Sequence, residues 1–284
     1  MWSHAYNLTF ALRLYWLDRA GRVVEGSRVF TKAIVRLPSA NFATGLTSVE
    51  MGTPDHGLAL EQHEAYCAAL ERCGLTLTRL EADPHYPDST FVEDTAVLTE
   101  RCAIITRPGA PSRAGEVEVI SEVLCLFYSS ILNIQQPGTL DGGDVCQAGD
   151  HFFIGISART NQSGAQQLTD LLALFDYTSS FVDIRDMDGI LHLKSGLAFL
   201  GDKRLMVVDA LANREEFRSY DLVRVHIGDE YVANCVLIND YVLVAARHSA
   251  IEEKLQLLGY KTIVVDVSEF QKMDGGLSCL SLRM

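Results

Sequence analysis

A unit of strand, turn, strand, helix and strand recurs along this chain, and that recurrence restricts the fold more than any other feature. One copy runs from strand 96–98 through a polar turn to strand 103–106. A helix then opens near Ser112 with Val117, Ile120, Leu124 and Phe127 on one face, and strand 131–134 follows. A second pairs 145–148 with 151–156 before a helix carrying Ala165, Leu168 and Leu172 and a strand at 181–184. A third pairs 197–200 with 204–208, continues in a short helix over 213–218, and ends in strand 222–227. A fourth pairs 235–238 with 241–245, and its helix reads as a capping box from Ser249 to Glu252 that stops at Gly259. Its last strand covers 262–267.

The residues that open the hairpins are Asp94, Asp144, Ser195, Asn234 and Cys279. They are 50, 51, 39 and 45 residues apart (144−94, 195−144, 234−195, 279−234). A period near 50 points to an array or propeller. At one end of the series, strand 28–36 lacks a preceding hairpin partner. It leads through a polar loop to a helix that Thr53 is expected to cap, with Pro54 at its first position, and then to strand 75–80. At the other end, the stretch after Cys279 is a single short strand, 280–284. The simplest arrangement pairs these two strands and closes the ring, which removes two exposed sheet edges. The expected fold class is therefore α/β, a five-bladed propeller. An open doubly wound sheet would avoid the hairpins.

Ring closure brings the five loops before the hairpins to one axis. They carry Asp88, Glu93 and Asp94; Asp141 and Asp144; His192; Tyr231 and Asn234; and Asp274 with Cys279. Singly, each has an ordinary explanation. His192 between two leucines fits a core position, Asp88 and Asp141 sit in turns where Asp serves the backbone, and most cysteines are small buried apolar residues. At equivalent positions of five modules they make a cysteine, a histidine and several carboxylates converge.

Composition narrows the partners. The formal net charge of −13 argues against nucleic acid or an anionic membrane surface. Seven cysteines at irregular spacing, with no CxxC pair, suit a reducing cytoplasm better than a disulfide framework or a zinc site. An apolar fraction of 48% is ample for a large core, and no stretch has the length of a membrane-spanning helix. Residues 1–28 fit no module and lack the basic start and cleavage site of a signal peptide. They are expected to be an extension outside the repeat, upstream of the natural start, with 29–284 forming a single catalytic domain.

A Cys–His pair with a carboxylate is the nucleophile, base and orienter of covalent catalysis. Further carboxylates would raise the thiol pKa and disfavour thiolate. They make sense if the substrate is a cation. A guanidinium offers planar N–H donors to a carboxylate, and its charge would offset the acidic surroundings. Binding would then promote activation.

The segments FVEDTAVL, ITRPGAPSR, TLDGGDV, FFIGISARTN, LHLKSG, ANC and DGGLSC, spread over about residues 29–284, resemble dimethylarginine dimethylaminohydrolase of the bacterial type, in the pentein superfamily of guanidine-modifying enzymes. The resemblance implies a fivefold α/β propeller that hydrolyses methylated arginine to citrulline. It implies Cys279 as nucleophile, His192 as acid and base, and Asp141 as the group orienting His192. It further implies Asp94 as receptor of the guanidinium with Glu93 adjacent, Arg113 and Arg159 on the α-carboxylate, Asp88 and the backbone of Leu46 at the amino-acid end, and Met273 lining the pocket. No cofactor or metal is implied, although thiolate and imidazole are good zinc ligands. The expected partner is a small cationic amino acid, and a homodimer is an expectation from relatives that often dimerise.

Three rival readings remain. An arginine deiminase resembles a longer chain with a helical insertion, for which the spacing from Asp94 to Asp144 leaves no room. It also places an aspartate where this chain has Asn234, which would leave one side freer for methyl groups. A non-catalytic pentein binding protein would not need the Cys, His and Asp set. An amidinotransferase would need a second, amine-acceptor site.

Overall fold

In the computed structural model the described residues are 29–284 and two short strands, Trp16–Leu17 and Val23–Val24, which pair antiparallel. The rest of the extension expected over 1–28 lies outside the described residues. Five three-stranded sheets account for every other strand among them. Each has an antiparallel pair, a hairpin in four of the five, and one strand of the pair runs parallel to a third strand after a helical crossover. The second module shows the pattern: Ala96–Leu98 against Ala103–Ile105, then Ile131–Asn133 in parallel with Ala103–Ile105. The same order recurs in the sheets built on His151–Ile156, Arg204–Val208 and Tyr241–Ala245.

The first module is assembled from both ends of the series. Leu282–Arg283 pairs antiparallel with Lys32–Arg36, in the register Leu282↔Ile34 and Arg283↔Ala33, and Lys32–Arg36 pairs in parallel with Thr76–Leu80. The ring closes as the repeat pattern requires. The first strands of neighbouring modules pack side by side, Leu282–Arg283 on Ala96–Leu98 and Leu197–Phe199 between Val145–Ala148 and Val236–Ile238.

The middle strand of every sheet is buried nearly throughout, as in the runs 33–36, 103–105, 152–156, 205–208 and 242–245. A central strand covered on both faces needs apolar residues at consecutive positions. The alternation expected over 28–36 is therefore absent where it would matter: Ala33, Ile34 and Val35 are all buried.

Three local expectations change. The first helix, His56–Arg72, is capped by Asp55, whose carboxylate accepts from the Leu58 amide at 2.9 Å, in place of Thr53. Ser249 is the first residue of helix Ser249–Leu257, not its cap; His248 holds that position without a side-chain capping bond, its ring lying 2.9 Å from Asp229. The crossover from Arg204–Val208 to Asp221–Val225 is only a 3-10 turn, Glu215–Phe217.

One feature was not foreseen. Each hairpin is entered through a 3-10 turn: Ser278–Leu280, Val92–Thr95, Gly142–Asp144, Leu193–Ser195 and Glu230–Ala233. In that order, each turn touches the next around the axis. The crowding requires glycine: a Cβ on Gly142 would lie 2.0 Å from the Glu93 carbonyl oxygen.

The first helix reaches this centre through Tyr66. Its buried hydroxyl lies 2.8 Å from the Leu277 carbonyl and 2.7 Å from Ser281 Oγ, on either side of the Ser278–Leu280 turn. Replacing Tyr66 by Phe leaves two buried polar groups short of a partner. A loss of about 1–3 kcal/mol is expected in urea unfolding, and an unchanged midpoint would show that the helix does not support the turn.

Candidate active site

A pocket opens at the axis, between the 3-10 turns and the loop over residues 45–48. Cys279, His192, Asp94 and Arg113 line it, as do Leu46, Asp88, Arg159 and Met273. Eight of the ten residues expected from sequence thus surround one space. Asp141 is directly behind, fully buried, with Oδ2 3.0 Å from His192 Nε2. Its other oxygen accepts from the Gly109 amide at 2.7 Å, which fixes the carboxylate.

Glu93 departs from expectation. It is absent from the pocket lining, and its carboxylate takes a bond from Ser278 Oγ at 2.6 Å and ion pairs with Lys194 and Arg283, each at 2.7 Å. In the tight turn Val92–Thr95 the adjacent side chains of Glu93 and Asp94 serve different partners. Asn234 is likewise not a pocket residue. Its side chain accepts from the Ser278 amide at 2.8 Å and donates to the Lys194 carbonyl at 2.9 Å, tying the cysteine turn to the histidine turn.

Asp94 is held on both oxygens. Oδ1 accepts from the Gly143 amide at 2.9 Å and Oδ2 from Arg113 Nη1 at 2.6 Å. Gly143 permits this approach, since a Cβ there would come within 2.8 Å of Asp94 Oδ1 and of the His192 ring. Arg113 is buried and engaged: Nε and Nη2 donate to Glu116, and Nη2 also to the Phe91 carbonyl. Arg159, by contrast, is half-buried, and its guanidinium has no hydrogen-bond or ion-pair partner among the described residues. It is the pocket cation open to an anion.

The loop over 45–48 is fastened across the pocket from two sides. The Leu46 amide donates to both oxygens of Asp88, at 3.0 and 3.2 Å, and the Ser48 amide donates to Asp274 Oδ2 at 2.5 Å. Sequence reasoning placed Asp274 at the axis without giving it this work. It also missed Phe91, Leu191 and Gly275 as lining residues. The doubled glycine was the available signal, because a Cβ on Gly275 would strike the Phe91 ring at 2.1 Å.

The electrostatics divide sharply. Burial raises the Cys279 thiol, Glu93 and Asp94 raise it further, and the Gly276 amide and Lys194 only partly oppose them; it is pushed up to about 12. Burial works against a charged His192, but Asp94, the hydrogen bond to Asp141 and the charge of Asp144 outweigh it and raise the imidazole to about 9. Asp141 is also penalised by burial, yet His192, Arg113 and the Gly109 amide hold it below the usual range. At neutral pH these influences favour a protonated Cys279 thiol and a charged His192. Asp144 secures the histidine turn: its carboxylate accepts from the Leu193 amide at 2.9 Å and from Ser157 and Thr160 at 2.7 and 2.6 Å.

Asp94, Asp141 and His192 offer ligand atoms within 4.8 Å of one another. Each is already committed, to Gly143 and Arg113, to Gly109, and to Asp141, so the arrangement is that of a hydrogen-bonded network, and no metal step follows from it.

A closed five-bladed α/β propeller with a thiol, an imidazole and carboxylates at its axis defines a pentein-type protein of the guanidine-modifying class. No family model matches the chain. Individual proteins do. It is 43% identical over 256 residues to N(G),N(G)-dimethylarginine dimethylaminohydrolase of Pseudomonas aeruginosa, covering 90% of this chain and all of that protein. It is 38% identical over 255 residues to the protein of the same name from Streptomyces coelicolor, covering 89% of this chain and 96% of the relative. A solved structure of the Pseudomonas aeruginosa protein, a cysteine-to-serine variant complexed with citrulline, superposes with a TM-score of 0.88 at 43% identity, over 90% of this chain and all of that one. The chain belongs to the dimethylarginine dimethylaminohydrolase family.

Removing the orienting carboxylate tests the His192 assignment. In an Asp141→Asn variant the imidazole pKa falls from about 9 toward the ordinary range, because a group favouring the cation is lost. Activity falls ~10²–10⁴-fold, the usual worth of a positioned acid–base group. An unchanged His192 titration by NMR would contradict the assignment.

Proposed function

We propose that this chain hydrolyses Nω-methylated L-arginine to L-citrulline and methylamine or dimethylamine through a covalent intermediate on Cys279. The acting unit is the single domain over residues 29–284. What carries the reading is the convergence in one pocket of Cys279, whose thiol burial and then the charges of Glu93 and Asp94 hold protonated, and His192, whose charged form Asp94, Asp141 and Asp144 favour. A neutral substrate gains nothing from such a site. A guanidinium brings in the positive charge that makes thiolate affordable.

Asp94 receives the guanidinium and Arg159 the α-carboxylate, with Arg113 holding Asp94 in place. Asp88, already bonded to the Leu46 amide, and the Met273 segment bound the amino-acid end. The Cys279 proton passes to solvent water as the cation settles, since His192 is already charged. The thiolate then attacks the guanidinium carbon and forms a C–S bond. The imidazolium of His192 gives its proton to the methylated nitrogen, the C–N bond breaks, and the amine departs. A thiouronium remains on Cys279. Neutral His192 next takes a proton from water, the hydroxide adds to the same carbon, and the C–S bond breaks as the added hydroxyl gives its proton to solvent, which releases citrulline and thiolate. Asp141 keeps the imidazole aligned through both transfers.

All seven cysteines are free, and among the described residues no helix is long and apolar enough to cross a membrane. We assign the enzyme to the reducing cytoplasm, acting on a free amino acid.

Citrulline release is to be measured side by side from asymmetric dimethylarginine, monomethylarginine and arginine. The methylated substrates are expected to turn over and arginine to be far slower; preferred turnover of arginine would favour a deiminase. Coupling of charge to activation has its own test. A cationic haloamidine is expected to inactivate the enzyme at lower pH than uncharged iodoacetamide, since only the former lowers the Cys279 pKa as it binds. Coincident pH profiles would contradict that coupling.

A further inference from the structure

Behind the pocket lies a second layer of buried charge that the reaction does not use. Glu93, Lys194 and Ser278 each stand one or two residues from a pocket residue: Asp94, His192 and Cys279 respectively. They come from three different 3-10 turns, and they meet on the Glu93 carboxylate. The fourth member is Arg283, from the ring-closing strand, at 2.7 Å from Glu93 Oε1.

Arg283 does more than neutralise Glu93. Its Nη1 donates to the carbonyls of Ser278 and Ser281, at 3.0 and 2.9 Å, and to Ser281 Oγ at 2.8 Å. These acceptors bracket Cys279 and Leu280. The turn's own support is slight: the Cys279 amide donates to the Gly276 carbonyl at 3.1 Å, and the Gly276 amide lies 3.4 Å from Cys279 Sγ. Strand pairing needs only the backbone of residue 283, so an apolar side chain would close the ring equally well. A buried guanidinium is costly unless its charge and donors are met. Here they are met by Glu93 and by the turn that presents the thiol.

We propose that Arg283 is a positioning residue for Cys279: anchored on Glu93, its guanidinium clamps the Ser278 and Ser281 carbonyls and fixes the turn that aims the thiol at the substrate carbon. This rests on Cys279 being the nucleophile. Lys194 completes the layer by tying the histidine turn to the same carboxylate, so the groups that attack and protonate are referenced to one buried anion. An error of about 1 Å in a reacting group costs on the order of 10²-fold in rate.

The test compares Arg283→Met and Arg283→Lys with the wild-type chain, each first shown to be folded by thermal melting. Lysine can keep the ion pair to Glu93 but cannot reproduce the fork that grips two carbonyls. Both variants are expected to lose kcat on methylarginine, by about 10²-fold for Met and about 10-fold for Lys, while KM stays within about threefold because Asp94 and Arg159 are untouched. A folded Arg283→Met variant with kcat within twofold of wild type would overturn the proposal. Should that variant not fold, Arg283→Lys decides on the same twofold criterion. Cys279→Ser, run in parallel, separates the two levels: ordinary turnover there would overturn the nucleophile reading itself.

Discussion

Leu282 and Arg283 pair antiparallel with Ile34 and Ala33, and this two-residue contact sets where the turn carrying Cys279 comes to rest. Without it the first sheet has two strands and the ring has a gap beside the nucleophile. With it, five 3-10 turns pack in sequence around one axis. The arrangement explains why functional residues so far apart in sequence act together. Each turn is anchored by its own hairpin, and each hairpin is held by a middle strand buried on both faces. Rigid elements thus place the thiol, the imidazole and the carboxylates, while the loop over 45–48, fastened by Asp88 and Asp274, borders the opening.

Charge is distributed in two layers. The pocket layer is acidic around Cys279 and His192, and its carboxylates are fixed by backbone amides of Gly143 and Gly109 and by Arg113. The deeper layer balances Glu93 with Lys194 and Arg283, and there burial, which opposes the Glu93 charge, is outweighed by the two cations. In the pocket layer Arg113 offsets Asp94 and His192 offsets Asp141, while the Cys279 thiol is held up by burial and by Glu93 and Asp94.

The modular pattern and ring closure were legible in the sequence because each depends on backbone periodicity and turn residues, which are local. Convergence of Cys279, His192, Asp141 and Asp94 followed from equivalence of modules. Side-chain direction within a 3-10 turn was not legible. Glu93 and Asp94 are adjacent and chemically alike, yet one joins Lys194 and Arg283 and the other lines the pocket. The partners of Asn234 were hidden for the same reason: its position beside Ser278 and the Lys194 carbonyl depends on how the turn Glu230–Ala233 packs against its neighbours. Arg283 had no signal at all, since a short terminal strand gives no hint that a side chain will turn inward. The cap at Asp55 was missed because Thr53, two residues earlier, is as good a cap by residue type, and His248 makes no side-chain capping bond that its residue type would signal.

The central claim is that the substrate carbon is transferred to Cys279. It is tested most directly by acid-quenching the enzyme during turnover of asymmetric dimethylarginine and mapping its peptides by mass spectrometry. The account predicts a thiouronium adduct, the substrate less dimethylamine, on the peptide containing Cys279 and on none of the other six cysteine sites. Steady turnover with no adduct at Cys279, or an adduct on a different cysteine, would contradict it.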